Sequence, residues 1–323
     1  MREHDRDTEP GTAQPPPCGD PIRSSGTARG YLLVLGAATA WGTLGLFYQG
    51  IHRRYGLLPK TIVLFRAGIA LAALLILVVG FRRDLLRIQP RHLPLLIAQG
   101  AIGIAAFYLT YIYAVQIAGM AVAVVLMYTA PLWVTLFSWR FLGESLHSRK
   151  LLALAGTLVG AALVAQVYST NLVRVGAPGI ALGLGSGICY ACLSVLNKYA
   201  LRHYSAWTVL TYSLAFGLPL LAVVQSPTDL SRAVTTPGAM VWLLALGLGP
   251  SLGGGLLYAA GLAELPASVA SILASFEPVV ACALAFVVLG EQMAVGQLVG
   301  AAVILASIIA LGTGDLAGRA RSR

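Results

Sequence analysis

The chain alternates long apolar runs with short polar connections along almost its whole length. A helix needs about 20 apolar residues to cross a bilayer, and ten runs reach about that length. They are predicted at about 30–50, 59–80, 93–114, 119–140, 149–168, 178–198, 206–226, 238–260, 265–288 and 294–313. The connections between them are too short for a soluble domain. The pattern therefore predicts an all-α polytopic membrane protein with ten transmembrane helices.

The apolar pattern also contains a repeat at an offset of 147 residues. Residues 122–144 read VAVVLMYTAPLWVTLFSWRFLGE, and residues 269–291 read VASILASFEPVVACALAFVVLGE. The aligned pairs are Pro131 with Pro278, Gly143 with Gly290, Glu144 with Glu291, Gly100 with Gly247 and Tyr111 with Tyr258. Each copy holds five predicted spans, an odd number, so the second copy enters the membrane from the opposite face. We therefore expect two inverted five-helix repeats, the architecture of many secondary transporters.

These repeats divide the chain into five parts. A tail at 1–29, rich in Pro, Gly and charge, is expected to be disordered and cytoplasmic. It precedes the first repeat at 30–168, a linker at 169–177, the second repeat at 178–313, and a cytoplasmic tail at 314–323.

The basic residues predict the orientation of the spans. If the N-terminus is cytoplasmic, sixteen Lys and Arg residues lie in inside segments and five in outside segments, and the remaining one is Arg66. Inside loops of membrane proteins carry the excess of Lys and Arg. Both termini are therefore expected to face the cytoplasm, in a multi-pass protein of the cell membrane.

The composition excludes a water-soluble protein. Hydrophobic residues make up 58% of the chain and charged residues 11%, against about 25% charged in soluble domains. The net charge of +10 is spread over short segments between apolar runs, so it indicates membrane-surface charge and not nucleic-acid binding. Cys189 and Cys192 form a C-x-x-C inside an apolar run without histidines nearby, so no metal site is predicted.

Several short motifs occur in the spans or at their ends. They are Trp41-Gly42, Phe65-Arg66, Leu142-Gly143-Glu144, Leu289-Gly290-Glu291 and Glu277-Pro278-Val279. With these motifs the chain resembles the drug/metabolite transporter superfamily, specifically its EamA family, over about residues 30–313. The resemblance implies a ten-helix carrier that moves small organic solutes, often amino acids or other metabolites, outward. The family often has Lys eight residues after the Trp, where this chain has Gln49, and the corresponding position in the sixth span is Lys198.

Glu277 is the most informative single residue, because it lies near the middle of the ninth predicted span. An ionised side chain there costs about 2.5–3.5 kcal/mol on insertion scales. The hypothesis is that Glu277 binds a substrate ammonium group or couples proton movement. The alternative is that its carboxyl group caps backbone freed by Pro278. The aligned residue of the first repeat is Ala130, so the carboxyl belongs to one half only.

Arg66 is the one basic residue well inside a span, about 10 Å below its predicted outer end. It could bind a substrate carboxylate or form an internal ion pair, or its side chain could snorkel to the outer headgroups. The aromatic residues set inside their spans are further candidates for substrate contact, against the alternative of interfacial belts. They are Trp41, Tyr111, Tyr190 and Tyr258.

A last group of residues is predicted to break helices or to act in gating. Pro131 and Pro278 remove a backbone hydrogen bond in mid-span, and Pro250 does so within a glycine-rich eighth span. A broken helix beside a cavity and close packing through small residues are both consistent with that span. Glu144 and Glu291 end their spans on opposite faces, which argues for a structural or gating role and against substrate binding.

The leading prediction is a secondary transporter, an exporter of a small metabolite that works by alternating access. The expected partners are the substrate, the bilayer and, as a candidate coupling ion, protons. A membrane-embedded enzyme and a non-transporting receptor or scaffold remain alternatives. No catalytic residue or cofactor is predicted, because the five histidines lie in tails, loops or span ends and the sequence has no P-loop.

Overall fold

A computed structural model describes residues 24–169 and 176–320, and these residues form helices and no strands. Eight of the described helical stretches are long and apolar enough to cross a membrane, or nine if a bent pair at 206–235 counts as one span. The eight are Thr27–Tyr55, Pro59–Phe81, Pro90–Ala118, Met120–Leu142, Ala177–Ala200, Pro237–Glu264, Ala267–Leu289 and Val295–Thr313. The chain is therefore a multi-pass membrane protein.

The first half contains eight α-helices. They are α1 (Ser24–Gly42), α2 (Leu44–Tyr55), α3 (Pro59–Phe81), α4 (Leu93–Ala98), α5 (Phe107–Ala118), α6 (Met120–Met127), α7 (Ala130–Leu142) and α8 (Ser148–Val164). The second half also contains eight. They are α9 (Ala177–Ala200), α10 (Ala206–Ala222), α11 (Pro227–Thr235), α12 (Pro237–Leu246), α13 (Gly254–Glu264), α14 (Ala267–Ala274), α15 (Glu277–Leu289) and α16 (Val295–Ala320).

Several predicted boundaries differ from the observed ones. The first helix begins at Ser24, inside the segment predicted as a disordered tail, and residues 1–23 lie outside the described chain. The last helix runs to Ala320, beyond its predicted end at 313. Most of the predicted linker, residues 170–175, also lies outside the described residues. In the seventh predicted span the helix stops at Ala222, and α11 turns away from it by 118°.

The first predicted span is broken at Thr43. The Thr43 side chain donates a hydrogen bond from Oγ1 to the carbonyl oxygen of Ala40 at 2.7 Å. Such side-chain bonds to the preceding turn compete with the helical ladder. The chain therefore continues as the separate helix α2, which ends at Gly56 in the left-handed conformation (φ 67°).

Two corresponding stretches are wound as π-helices. One is Gln99–Ala106 between α4 and α5, and the other is Gly247–Gly253 between α12 and α13. In the second, Pro250 has no N–H to donate, and the hydroxyl of Ser251 donates to the carbonyl oxygen of Leu246 at 3.0 Å. Single π turns occur often at functional sites, because they rotate the following side chains relative to an α-helix.

Two mid-membrane breaks also correspond. The helix pair α6 and α7 is interrupted at Tyr128–Thr129, and the pair α14 and α15 at Ser275–Phe276. Pro131 and Pro278 each lie in the first turn of the helix after the break. A proline is well accommodated there, because the first N–H groups of a helix have no internal acceptor. The prolines therefore begin new helices and do not kink continuous ones.

Helix contacts follow the same correspondence between halves. In one half of the comparison, α1 packs on α13 and on the broken pair α14–α15. In the corresponding contacts, α9 packs on α5 and on the broken pair α6–α7. Similarly, α3 packs on the π-helix 247–253, as α10 packs on the π-helix 99–106. The two last helices of the halves, α8 and α16, pack on each other.

The outer surface is apolar, as expected for lipid contact. Large hydrophobic side chains such as Leu152, Val287 and Val295 are more than 70% exposed. Glycines allow helices to pack closely. At the contact of α8 with α16, a Cβ atom at Gly160 would lie 2.6 Å from Cγ1 of Ile304 and 2.7 Å from the carbonyl oxygen of Gly300. In lipid, helices associate through such close backbone approach.

The α8–α16 contact predicts opposite effects for two glycine substitutions. Gly160→Ala should lower the melting temperature of the purified protein in detergent, because overpacking costs about 1–3 kcal/mol. Gly80→Ala is the control: nothing lies within 4 Å of a Cβ there, and alanine gains about 1 kcal/mol of helix propensity. Equal melting temperatures for the two variants would contradict the glycine contact.

Candidate functional site

Glu277 lies at the break before α15, where that helix begins. The free N–H groups of a helix N-terminus favour negative charge, so the local backbone partly offsets the cost of burying the carboxylate. Trp41-Gly42 at the end of α1 packs across this break. A Cβ at Gly42 would lie 2.7 Å from Val280 and 3.1 Å from the carbonyl oxygen of Glu277, so only glycine permits the contact.

The Glu277 carboxyl faces the hydroxyl of Tyr128 and interacts electrostatically with Arg66. Tyr128 belongs to the corresponding break, between α6 and α7. Tyr111 and Tyr190 also lie within electrostatic range of the carboxyl. The structure thus brings Glu277 and two of the predicted tyrosines together, from three different helices.

Arg66 on α3 is 5% exposed, which argues against the snorkelling alternative. Its Nη1 donates to Oγ of Ser251 at 3.2 Å, and its Nη2 donates to the hydroxyl of Tyr108. The guanidinium carbon lies 4.7 Å from the ring centre of Tyr108 and 5.9 Å from that of Tyr48, distances typical of cation–π contacts. The Ser251 partner comes from the π-helix, so the irregular winding of 247–253 supplies one of the groups that hold Arg66.

The charge of Arg66 is not neutralised by a direct ion pair. Among the described residues no carboxylate oxygen lies within 4.0 Å of its guanidinium, and its buried Nε has no hydrogen-bond partner. Burying an unpaired charge is costly, and such residues inside membranes mark substrate or ion pathways. Arg66 and Glu277 are therefore a basic and an acidic group that lie within electrostatic range of each other without forming an ion pair.

The side chains around Arg66 and Glu277 are partly accessible although they lie far from the ends of the spans. Half-buried members are Tyr48, Tyr108, Tyr111, Tyr128, Tyr190 and Glu277. We call these six residues with Arg66 and Ser251 the central polar cluster. Its members interact with one another, so they form one polar group among apolar helices, with a basic end at Arg66 and an acidic end at Glu277.

Trp41, Tyr190 and Tyr258 form one aromatic group beside this cluster. The ring centres of Trp41 and Tyr258 are 5.1 Å apart, and those of Tyr190 and Tyr258 are 6.5 Å apart. Gly254 makes room for the indole, because a Cβ there would lie 2.7 Å from Nε1 of Trp41. Tyr258 is buried and its hydroxyl is 3.2 Å from Oγ of Ser194, so it supports the site as a core residue.

The residues predicted for helix breaks and gating separate into three groups. Pro131 and Pro278 lie beside the breaks at Tyr128 and Glu277, whereas Pro250 lies within the π-helix that supplies Ser251. Glu144 accepts hydrogen bonds from the start of α14, and Glu291 is exposed. Neither glutamate belongs to the central polar cluster.

Four members of the cluster were missed or not favoured by the sequence. Tyr108 and Tyr128 lie among several span tyrosines that pattern alone cannot rank, and nothing in the apolar pattern marks Tyr48 or Ser251. A signal for Tyr128 was available: it lies two residues before Ala130, the repeat counterpart of Glu277. If the two corresponding breaks face each other, side chains next to them, such as Tyr128 and Glu277, lie close together.

A cleft of about 490 Å³ in the described part of the chain is lined by none of the predicted site residues. It is lined by α2, α12 and the end of α15, including Arg53, Trp242 and Leu289. The described residues also contain no group of three His, Cys, Asp or Glu side chains that could hold a metal ion.

Comparison with known proteins identifies the family. The model of the EamA-like transporter family matches residues 28–166 and again residues 177–313. The chain belongs to this family. The two matches place one copy of the family model on each half of the molecule.

Relatives of this EamA chain are named as transporters. An uncharacterized transporter of Archaeoglobus fulgidus is 32% identical over 212 residues, which cover 64% of this chain and 74% of the relative. The pseudopaline exporter CntI of Pseudomonas aeruginosa is 27% identical over 67% of this chain and 72% of its own length. A solved crystal structure with 20% identity superposes with a TM-score of 0.75 over 90% of this chain and 96% of that one, which supports the fold.

The exposure and partners of Arg66 predict how its removal affects stability and transport. Arg66→Met replaces a buried charge that has no ion-pair partner with an apolar side chain of similar length, so the desolvation cost that is removed opposes the loss of the hydrogen bonds to Ser251 and Tyr108. We expect a melting temperature close to that of the wild type, with solute flux in liposomes lost. Arg82→Met, at an exposed ion pair with Asp84, should change neither. A fall in stability of about 3–5 kcal/mol for Arg66→Met would instead assign Arg66 a structural role.

Proposed function

We propose that this EamA-family chain is a secondary transporter that exports a small organic metabolite across the cytoplasmic membrane by alternating access. The observation that carries the proposal is the pair Arg66 and Glu277. Both charges lie deep among apolar helices, and they interact without forming an ion pair. A purely structural pair of charges would be expected to meet, because direct contact offsets the cost of desolvating them.

The proposed architecture is ten transmembrane helices in two inverted five-helix repeats. It is supported by the corresponding π-helices, the corresponding mid-membrane breaks and the exchanged helix contacts described above. The helices α8 and α10, with 17 residues each, would complete the set of ten. In such a fold, exchanging the conformations of the two repeats exchanges the open side of the central site.

The chemistry of the central polar cluster suggests the substrate class. Arg66 suits a carboxylate, and the carboxyl of Glu277 suits an ammonium group or a proton. The tyrosines offer hydroxyl groups and aromatic faces between these ends. The preferred substrate is therefore an amino acid or a similar amphipathic solute, in line with the export function in the name of the Pseudomonas relative.

The orientation follows from the charges of the connections. We call the membrane face on which Gly143-Glu144 lies the Glu144 face. We propose that this face and both termini are cytoplasmic. The opposite surface, with Gly290-Glu291, is called the Glu291 face. Arg82, Arg140 and Lys198 are among the sixteen basic residues assigned to the cytoplasmic side.

The other function classes receive less support. A membrane-embedded enzyme needs an activated nucleophile, a paired acid and base, or a metal. The central polar cluster offers one carboxyl, one guanidinium, tyrosines and Ser251, and the Ser251 hydroxyl donates to the carbonyl oxygen of Leu246 and not to a general base. A scaffold would have no need for two unpaired charges at its centre, and relatives of the chain are named as transporters and not as receptors.

Glu277→Gln tests the coupling part of the proposal. Purified protein in liposomes is given a panel of amino acids and amphipathic metabolites, with and without a pH gradient. The wild type should accumulate at least one solute when the gradient is present. Glu277→Gln keeps the shape and loses the titratable carboxyl, so it should lose gradient-driven accumulation and pH dependence of the remaining flux.

Two further outcomes decide the alternatives. Asp84→Asn is the control for loss of a carboxyl outside the central polar cluster, because Asp84 is exposed and contacts Arg82, and it should keep accumulation driven by the gradient. If Glu277→Gln transports at the wild-type rate with the same pH profile, proton coupling through Glu277 is wrong. Conversion of a panel member into a new compound would favour the enzyme alternative.

A further inference from the structure

The Glu144 carboxylate holds the beginning of α14. It accepts hydrogen bonds from the backbone N–H of Ala267 at 2.5 Å and of Ser268 at 3.3 Å, and from the hydroxyl of Ser268. These N–H groups have no acceptor within their own helix, so the side chain of a distant segment caps α14. The end of α7 in the first half is thereby joined to the broken span that carries Glu277.

Two lysines reinforce this contact. Nζ of Lys150 lies 3.7 Å from Oε2 of Glu144 and donates to the carbonyl oxygen of Ser145 at 2.9 Å. Nζ of Lys198 donates to three carbonyl oxygens just before α14, those of Leu262 at 2.7 Å, Ala263 at 3.2 Å and Leu265 at 2.7 Å. The connection between α13 and α14 is therefore fixed to α7, α8 and α9 on the Glu144 face.

The corresponding glutamate on the Glu291 face makes no such contact. The side chain of Glu291 is exposed and has no hydrogen bond or ion pair among the described residues. The repeat counterparts of Ala267 and Ser268 are Met120 and Ala121, and Met120 at the start of α6 is 63% exposed.

The local backbone of the two glutamates is nevertheless the same. Gly143 and Gly290 have φ values of 71° and 68°, in the left-handed region that favours glycine. The backbone N–H of Glu144 donates to the carbonyl oxygen of Ser138 at 3.2 Å, and that of Glu291 donates to the carbonyl oxygen of the corresponding residue, Ala285, at 3.3 Å. The two turns thus have the same backbone conformation. They differ because the Glu144 side chain contacts the first residues of α14, whereas the Glu291 side chain does not contact the first residues of α6.

Resting on the transport function proposed above, we propose that Glu144 and Glu291 are alternate latches. Glu144 caps α14 and closes one face in this conformation. In the opposite conformation Glu291 caps α6, and Glu144 releases α14. Each latch would connect one repeat to the broken span of the other, so closing one face favours opening the other.

The two latches are unequal in their partners. Ala121 stands where the first latch has Ser268, and Gln297 stands where it has Lys150. Gln49 stands where the sixth span has Lys198, so the second latch lacks one hydroxyl donor and both neighbouring lysines. The conformation closed on the Glu144 face should accordingly be the more populated one without substrate.

Matched cysteine pairs test the latches without using any substrate. In a chain whose four cysteines are replaced by alanine, Ser145→Cys with Ala267→Cys reports closure of the Glu144 face. Gln292→Cys with Met120→Cys occupies the repeat counterparts and reports closure of the Glu291 face. Iodine oxidises each pair to a disulfide, and yields are expressed relative to the total thiol titrated after denaturation, because Ala267 is buried whereas Met120 is exposed.

With both glutamates present, the 145–267 pair should cross-link more than the 292–120 pair. Glu144→Gln should lower the first yield and raise the second, with a change of about tenfold in their ratio. Ser268→Ala weakens the same latch more gently and should move the ratio in the same direction by about threefold. Glu291→Gln should lower only the 292–120 yield.

Asp84→Asn is the control, because it removes an exposed carboxylate near the same face that contacts Arg82 and no latch residue. It should leave both yields unchanged. An unchanged ratio in Glu144→Gln and Ser268→Ala, or a fall of both yields together, would overturn the latch proposal. Solute flux of the wild-type protein above that of empty liposomes tests the transport function separately, so the two failures are distinguishable.

Discussion

The cost of placing polar groups away from water is the constraint on which the rest of this structure depends. A helix can satisfy its own backbone in lipid, but a break exposes N–H and carbonyl groups that need partners. Both mid-membrane breaks therefore face other helices, and Gly42 brings α1 within contact of the backbone at Glu277. The same constraint confines Arg66 to a site where Ser251, Tyr108 and Tyr48 surround its guanidinium.

The irregular helix segments stabilise the two charged side chains of the central polar cluster. The start of α15 stabilises negative charge at Glu277, and the π-helix supplies a hydroxyl to Arg66. The irregular segments thus provide polar groups that regular helices would keep internally bonded. A membrane protein gains a polar interior in this way without adding further charged residues to its spans.

The sequence predicted the class of fold well because lipid imposes one dominant pattern, long apolar runs with basic connections. It also proposed Arg66, Glu277, Trp41 and Tyr190 as candidates, since a charge or an amphipathic ring inside an apolar run is conspicuous, and the structure places these side chains near one another. It did not identify Tyr48 or Ser251, whose roles depend on how helices from different halves pack. The break at Thr43 and the π-helix at 99–106 were missed for a related reason: both are local choices that apolar periodicity does not encode.

On the ten-span topology proposed above, α8 and α10 are membrane spans, and their short length affects the surrounding lipid. With 17 residues each they are about 25 Å long, whereas the hydrocarbon core of a bilayer is about 30 Å thick. A span shorter than its bilayer thins the lipid around it at a modest cost per ångström. The two helices lie in different halves, so any rearrangement that tilts one relative to the other changes the deformed area. Acyl-chain length thereby becomes a variable in the conformational balance, acting on the protein from outside its binding site.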